Sequence, residues 1–227
     1  MGKTVVITGV AQGLGRALAD ELIAQGHRVI GCDVDAAALA ALPPQSDSPP
    51  FALVDVTDAD QVATWAHTWL EDYPPDLLIN NAGVMHPLAP LWELPVGVCD
   101  RTIDVNLKGT LHVLRAILPA MVARNSGMVV NLSARWGRVG AAGAAPFCAS
   151  KWAIEGLTQA LAQELPAGLG AVTLSPGAVH TQALVTIHGA DKAAGYPAPQ
   201  TWAVQAVPYL LALTPALSGQ ALTCPAP

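Results

Sequence analysis

Lys3-Thr4-Val5-Val6-Ile7 is a short β-branched run, and Thr8-Gly9-Val10-Ala11-Gln12-Gly13-Leu14-Gly15 follows it without a gap. Arg16-Ala17-Leu18-Ala19-Asp20-Glu21-Leu22-Ile23-Ala24 comes next, with apolar residues at helical spacing. The three pieces read as strand, glycine turn and helix. Such a turn brings backbone N–H groups and the helix macrodipole to bear on an anion such as a pyrophosphate. Glycine suits these positions because it has no Cβ and accepts positive φ. The spacing is Gly-x-x-x-Gly-x-Gly rather than the tighter Gly-x-Gly-x-x-Gly fingerprint.

Working outward, Gly26 reads as the helix C-cap, and His27-Arg28-Val29-Ile30-Gly31-Cys32 as a second strand that ends at Asp33. An acid about 20 residues past the turn is placed to accept hydrogen bonds from the adenosine ribose hydroxyls. A carboxylate there repels a 2′-phosphate, and no lysine or arginine stands at 34–38. NAD(H) is therefore expected over NADP(H), with Arg16 the one nearby alternative for a 2′-phosphate. Ala36 to Leu42 reads as a short helix, 43–50 as a loop and Phe51 to Val54 as a third strand ending in Asp55-Val56. Thr57 is expected to cap a helix from about Asp58 to Asp72. Asp76-Leu77-Leu78-Ile79 is a fourth strand leading into Asn80-Asn81-Ala82-Gly83. Short apolar strands alternating with helices imply parallel βαβ units.

The 227 residues suit one α/β domain, with a dinucleotide-binding half at about 1–95 and a second half at about 96–227. Hydrophobic residues make up 52% and charged ones 12%, so part of the surface is expected to meet other subunits. A net charge of −6 without a basic block argues against nucleic acid. No apolar run reaches the roughly 18 residues of a membrane span. The N-terminal run breaks at Thr8-Gly9, unlike a signal peptide, and Val6 stands where a myristoylation start needs Ser or Thr. Four scattered cysteines form no metal spacing and suggest a reducing, cytoplasmic compartment.

Thr8-Gly9-x-x-x-Gly13-x-Gly15, Asp33, Asp55-Val56 and Asn80-Asn81-Ala82-Gly83 together resemble the classical short-chain dehydrogenase/reductase family, and the resemblance extends over nearly the whole chain. It implies a doubly wound, Rossmann-type sheet of seven mostly parallel strands flanked by helices, with a nicotinamide cofactor across the strand C-termini. By that resemblance Gly9, Gln12, Gly13, Leu14 and Gly15 receive the dinucleotide, Asp55 and Val56 flank the adenine, and Asn81-Ala82-Gly83 touches the adenosine ribose. Residues 84–95 read as a loop at the substrate pocket, and Gly97 to about Arg124 as a long helical segment. Asn106 within it matches the family's helix-borne asparagine, which implies a local break in helix hydrogen bonding that holds a water for proton relay. The same asparagine also reads as a buried side chain satisfied by backbone.

Gly127 to Leu132 is a fifth strand that delivers Ser133, at the position of the family's catalytic serine. Eighteen residues on is Lys151, within Phe147-Cys148-Ala149-Ser150-Lys151. In the family this pentapeptide begins with tyrosine. Positions i and i+4 share a helix face, so Phe147 and Lys151 should point at one site. A phenol's resting pKa near 10 falls beside an ammonium, which equips it to move a proton. The resemblance also gives Lys151 the nicotinamide ribose and Ser133 the substrate oxygen. Phenylalanine keeps the ring and removes the proton. Three readings follow: an enzyme with another donor (Ser133, His180, His188 or a relayed water), a cofactor-holding protein without catalysis, or a tyrosine replaced on purpose. Cys148 is one residue off that face and reads as a buried structural cysteine. Arg135-Trp136-Gly137-Arg138 offers an arginine for an acidic substrate and an indole for the pocket wall, or a plain loop.

Phe147 to Glu164 reads as a helix with small residues along it. The family resemblance makes it a dimer core with the Asn106 helix, so a homodimer or homotetramer is expected. Gly170 to Leu174 is a sixth strand. In Ser175-Pro176-Gly177-Ala178-Val179-His180-Thr181 the resemblance assigns Pro176, Gly177, Val179 and Thr181 to the nicotinamide carboxamide. Residues 182–200 read as a mobile lid, Trp202 to Leu213 as a helix interrupted or bent near Pro208, and Ser218 to Thr223 as a seventh strand. The chain stops at Pro227, short of the family's usual glycine pair, which leaves the choice between dimer and tetramer open. No metal is called for. The expected activity is interconversion of an alcohol and a carbonyl on a small molecule, with proton transfer altered by Phe147.

Overall fold

The computed structural model describes residues 2–43 and 51–225. Among them seven strands form one sheet: β1 (Thr4–Thr8), β2 (Arg28–Asp33), β3 (Ala52–Leu53), β4 (Leu77–Asn80), β5 (Gly127–Leu132), β6 (Leu169–Ser175) and β7 (Ala221–Thr223). Their order is β3-β2-β1-β4-β5-β6-β7, and every pairing is parallel. The direction of winding reverses between β1 and β4. At that reversal the connections leave on opposite faces and open a crevice beyond the strand C-termini.

The helices are α1 (Gly13–Ala24), α2 (Ala36–Ala40), α3 (Ala59–His67), α4 (Val96–Ile103), α5 (Thr110–Arg124), α6 (Ala145–Glu164), α7 (Gln182–His188), α8 (Ala190–Ala193) and α9 (Pro199–Leu211). Alternate strand residues serve two cores. Val5 and Ile7 of β1 pack with Leu18, Leu22, Trp202 and Val207 of α1 and α9. Val6 between them packs on the other face with Val62, Trp65, Ile117 and Met121 of α3 and α5. Burial on both faces is why these strands read as continuous apolar runs.

Several local expectations need correction. α1 begins at Gly13, not Arg16, because the last residues of the glycine turn are already its first turn. Asp58, not Thr57, caps α3: its carboxylate accepts from the Asp60 and Gln61 amides at 3.0 Å. Thr57 instead donates its hydroxyl to Asp55 at 2.8 Å. The segment 97–124 is helical throughout, as expected, with a π-helical turn at Asp104–Gly109 between α4 and α5. Residues 182–200 are largely helical, with Thr181 capping α7 and Gly189, at φ +79°, parting α7 from α8. α9 continues past Pro208 to Leu211, so it is not interrupted there. β7 is shorter than expected: Gly219, at φ +83°, turns the chain ahead of it, and Ser218 Oγ accepts the Ala171 N–H at 3.1 Å. From residue 44 on, the loop expected over 43–50 lies outside the described residues. Among the described residues no helix is long and apolar enough to cross a membrane, and no group of three or more His, Cys, Asp or Glu is placed to hold a metal ion.

Candidate active site

The glycine turn sits at the C-terminal end of β1, facing the end of β4. Gly9 and Gly13 hold φ of +73° and +58°. A Cβ on Gly15 would collide with the Gly9 carbonyl oxygen, so glycine is required where α1 crosses the strand end. Asn81 ties the two strands together. Its Nδ2 donates to the carbonyls of Thr8 at 2.8 Å and Gly9 at 3.0 Å, while Thr8 Oγ1 accepts the Asn81 and Ala82 amides at 3.1 and 3.0 Å. Gly13 and Gly177 face open space where a side chain would stand, and Gln12 and Gly83 are exposed at the same edge. Leu14 packs back onto the core.

Asp33 ends β2 with its side chain buried. Oδ2 accepts the Ala11 N–H at 2.9 Å, and Oδ1 accepts those of Val34 and Asp35 at 2.7 and 3.0 Å. The carboxylate thus holds the glycine turn in place and carries a fixed negative charge at the strand end. Asp55 accepts from the Thr57 amide at 2.9 Å, and buried Val56 leaves room for no more than a glycine at 109.

The second cluster forms at the ends of β5 and β6. Ser133 is buried, and its Oγ has no hydrogen-bond partner. Lys151, on α6, donates from Nζ to the Leu132 carbonyl at 2.7 Å. Burial brings its pKa down from 10.5 to about 8, with nearby Glu155 opposing the fall. Lys151 Nζ lies 5.9 Å from the centre of the Phe147 ring. That ring packs edge-on against Trp136, centroids 6.2 Å apart. The shared face expected of positions 147 and 151 is present. Gly137 keeps this space open, for a Cβ there would stand 2.6 Å from Ser133 Oγ.

Asn106 lies buried in the π-helical turn. Its Oδ1 accepts the Val84 N–H at 2.7 Å, and its Nδ2 donates to the Val84 carbonyl at 3.0 Å and to Ser150 Oγ at 3.1 Å. The break in helix bonding is present, and the side chain is satisfied by protein. The Asn106 carbonyl accepts from the Thr110 hydroxyl at 3.1 Å. On the far side, Trp202 Nε1 donates to the Pro176 carbonyl at 3.0 Å, Val179 is buried, and Thr181 Oγ1 accepts the Leu184 N–H at 3.4 Å.

The short chain dehydrogenase family model matches residues 3–191. The chain belongs to the short-chain dehydrogenase/reductase family. Membership makes it a nicotinamide-dependent oxidoreductase by class. The NADPH-dependent pterin aldehyde reductase of Arabidopsis thaliana is 44% identical over 225 residues, covering 97% of this chain and 93% of that one. The 2-dehydro-3-deoxy-L-rhamnonate dehydrogenase (NAD(+)) of Sphingomonas sp. is 36% identical over 172 residues, covering 75% and 69%. A 3-ketoacyl-(acyl-carrier-protein) reductase from Brucella melitensis, solved with NADH, superposes with a TM-score of 0.87 at 24% identity over 98% and 96% of the two chains, a likeness of fold.

Within this short-chain dehydrogenase fold, other polar residues sort themselves by their partners. Arg138 is committed to structure: it donates to Glu155 at 2.9 Å, to the Leu222 carbonyl at 2.7 Å and to Thr223 at 3.1 Å. Arg135 is exposed, Cys148 is buried, and His188 stacks on Tyr196 with ring centres 6.3 Å apart. His86 escaped the reading of the sequence. It is buried, three residues past Gly83, and its Nε2 has no partner. Its place just beyond Asn80-Asn81-Ala82-Gly83 was the available signal.

Proposed function

We propose that this single domain, residues 1–227, binds NAD(H) in preference to NADP(H) and interconverts an alcohol and a carbonyl on a small molecule, with proton transfer altered by Phe147. The residues present suit a dinucleotide. Gly13 and Gly177 leave space at the strand edge, Ser133 Oγ is a buried hydroxyl without a partner, and Asp33 is a fixed carboxylate at the end of β2. Gly9, Gln12, Gly13, Leu14 and Gly15 would cradle the pyrophosphate. Asp33 would accept the ribose hydroxyls, with Asp55, Val56, Asn81, Ala82 and Gly83 around the adenosine. Pro176, Gly177, Val179, Thr181 and Lys151 would hold the nicotinamide half. The bound cofactor supplies a hydride acceptor or donor.

The chain's own part is to hold the substrate oxygen. Ser133 donates a hydrogen bond to it, and Asn106 keeps the 84–89 segment in place through Val84. Asp33 supports NAD(H) because its carboxylate repels a 2′-phosphate. The Arabidopsis relative is named for NADPH, so cofactor choice is the sharpest test. Fluorescence titration should give tighter binding of NADH than of NADPH. A panel of benzaldehyde, butanal, cyclohexanone and their alcohols then reads turnover.

The observation that carries the altered chemistry is the Phe147 ring beside Lys151, in the place of a proton carrier. Phe147→Tyr should raise turnover, at most by the about 10²–10⁴-fold of a general acid–base group, and leave NADH affinity unchanged. No NADH binding, or no turnover by either the wild type or Phe147→Tyr, would reject this function. Four unpaired cysteines, three of them buried, support a cytoplasmic setting. The small residues of α6 beside exposed Trp152 support assembly of at least a dimer.

A further inference from the structure

Phe147 offers no proton, and the segment that follows β4 holds an imidazole, His86. His86 is 5% exposed. Its Nδ1 lies 2.8 Å from the Pro87 carbonyl oxygen. A carbonyl only accepts, so Nδ1 carries the hydrogen and Nε2 presents a lone pair or, in the cation, a second N–H. Nε2 is enclosed and has no partner. Buried polar atoms in native proteins rarely stand unpaired without a reason.

The backbone fixes where this ring stands. A Cβ on Gly83 would lie 3.7 Å from Lys151 Nζ. Six residues later, the Ala89 N–H donates to the Gly143 carbonyl at 3.1 Å. Segment 83–89 therefore meets the start of α6 twice, at the Lys151 ammonium and at Gly143. His86 lies between these two anchors in its segment, as Phe147 lies between Gly143 and Lys151. Val84 is gripped at both its amide and its carbonyl by Asn106, which holds the start of the segment. Ser133 Oγ is likewise enclosed and without a partner, so it is not bonded to His86. An oxygen of the substrate set between Ser133 Oγ and His86 Nε2 would satisfy both.

We propose that His86 Nε2 carries the substrate proton in place of the absent phenol, the substrate oxygen being shared between it and Ser133 Oγ. This rests on the oxidoreductase reading above. In alcohol oxidation the O–H proton passes to the Nε2 lone pair, and the O–H electron pair forms the C=O bond. The hydride leaves the carbinol carbon for the nicotinamide ring of NAD⁺. The imidazolium then gives its proton to a water that takes the place of the departing carbonyl product. In carbonyl reduction the same imidazolium returns a proton to the oxygen as hydride arrives at carbon.

The test is a double-mutant cycle on the panel above, with NADH affinity measured alongside. The wild type should turn over, and Phe147→Tyr should add less than about tenfold. His86→Gln, or His86→Asn if glutamine does not fold, should lower kcat by about 10²-fold or more with NADH affinity unchanged. Phe147→Tyr added to that variant should restore at least tenfold. A second readout needs no turnover. ¹⁵N NMR of the imidazoles in the NADH complex should show the signal lost in the His86 variant moving when the best panel alcohol is added, a pairing that cannot react. Turnover by Phe147→Tyr with a silent wild type overturns this assignment alone. So does an equal gain from tyrosine in both backgrounds, or an unmoved signal. Failure to bind NADH overturns the oxidoreductase reading beneath it.

Discussion

Lys151 carries its ammonium into the interior, where the Leu132 carbonyl is its hydrogen-bond acceptor. Burial is what lowers its pKa from 10.5 to about 8, against the pull of Glu155. In the cofactor-free chain the charged form is thus disfavoured by folding. Between pH 8 and 10.5 the unfolded chain binds more protons than the folded one, so stability rises with pH in that window. The slope from this one group is about 1.4 kcal/mol per pH unit. Lys151→Met removes it. Urea melts at pH 7 and 9.5 should show the wild type gaining on the variant as pH rises, and a constant gap between the two would contradict the buried ammonium. The same side chain shows how far a residue can be read alone. Its number and motif were legible, since Phe147 and Lys151 lie one helical turn apart. Its carbonyl partner, nineteen residues away, was not.

The strand–turn–helix unit of β1 and α1 is held by three devices that meet at the glycine turn. Asn81 donates to the Thr8 and Gly9 carbonyls, Asp33 accepts the Ala11 N–H, and Gly15 lets α1 pass over Gly9. Gly15→Ala should push the turn away from β4, cutting NADH affinity more than tenfold in a fluorescence titration. It should also cost about 1–3 kcal/mol in a denaturant melt, as overpacking of a tight site does. Unchanged binding would show that the turn does not receive the dinucleotide. Element types in this half were legible because they depend on local pattern. Element edges were less so: Asp58 outcompeted Thr57 for the α3 cap once Thr57 had turned to Asp55. The helices α7 and α8 were masked by the glycine and proline around them. A single capping threonine and the glycine at 189 suffice to set their ends.

Across the described residues the parallel sheet is clothed on both faces, and the large apolar side chains left exposed are spread over several elements, Trp92 and Trp152 among them. Trp152 is 53% exposed on α6, beside exposed Ala149, Gly156 and Ala160. Such a face suits close pairing of two copies, since small residues let the backbones approach around the indole. Light scattering should find at least a dimer for the wild type and a lower mass for Trp152→Glu. A monomeric wild type would dismiss the face as an interface. The Arg138 network belongs to this scale too. It joins the loop after β5 to α6, β6 and β7 through Glu155, Thr173 and Leu222. An arginine that the sequence offered equally to an acidic substrate is spent on holding the sheet edge.

Residue types at short, regular spacing determined the alternation of strands and helices, the glycine turn and the acid at 33, because backbone geometry and hydrophobic period act locally; the doubly wound order and the tyrosine expected at Phe147 came from resemblance to the family. The tertiary structure decided which polar groups are satisfied. It joined Asn106 to Val84 and Arg138 to Glu155, and left Ser133 Oγ and His86 Nε2 without partners. Those outcomes depend on segments far apart in the chain meeting in a dry interior, and no local spacing encodes such a meeting.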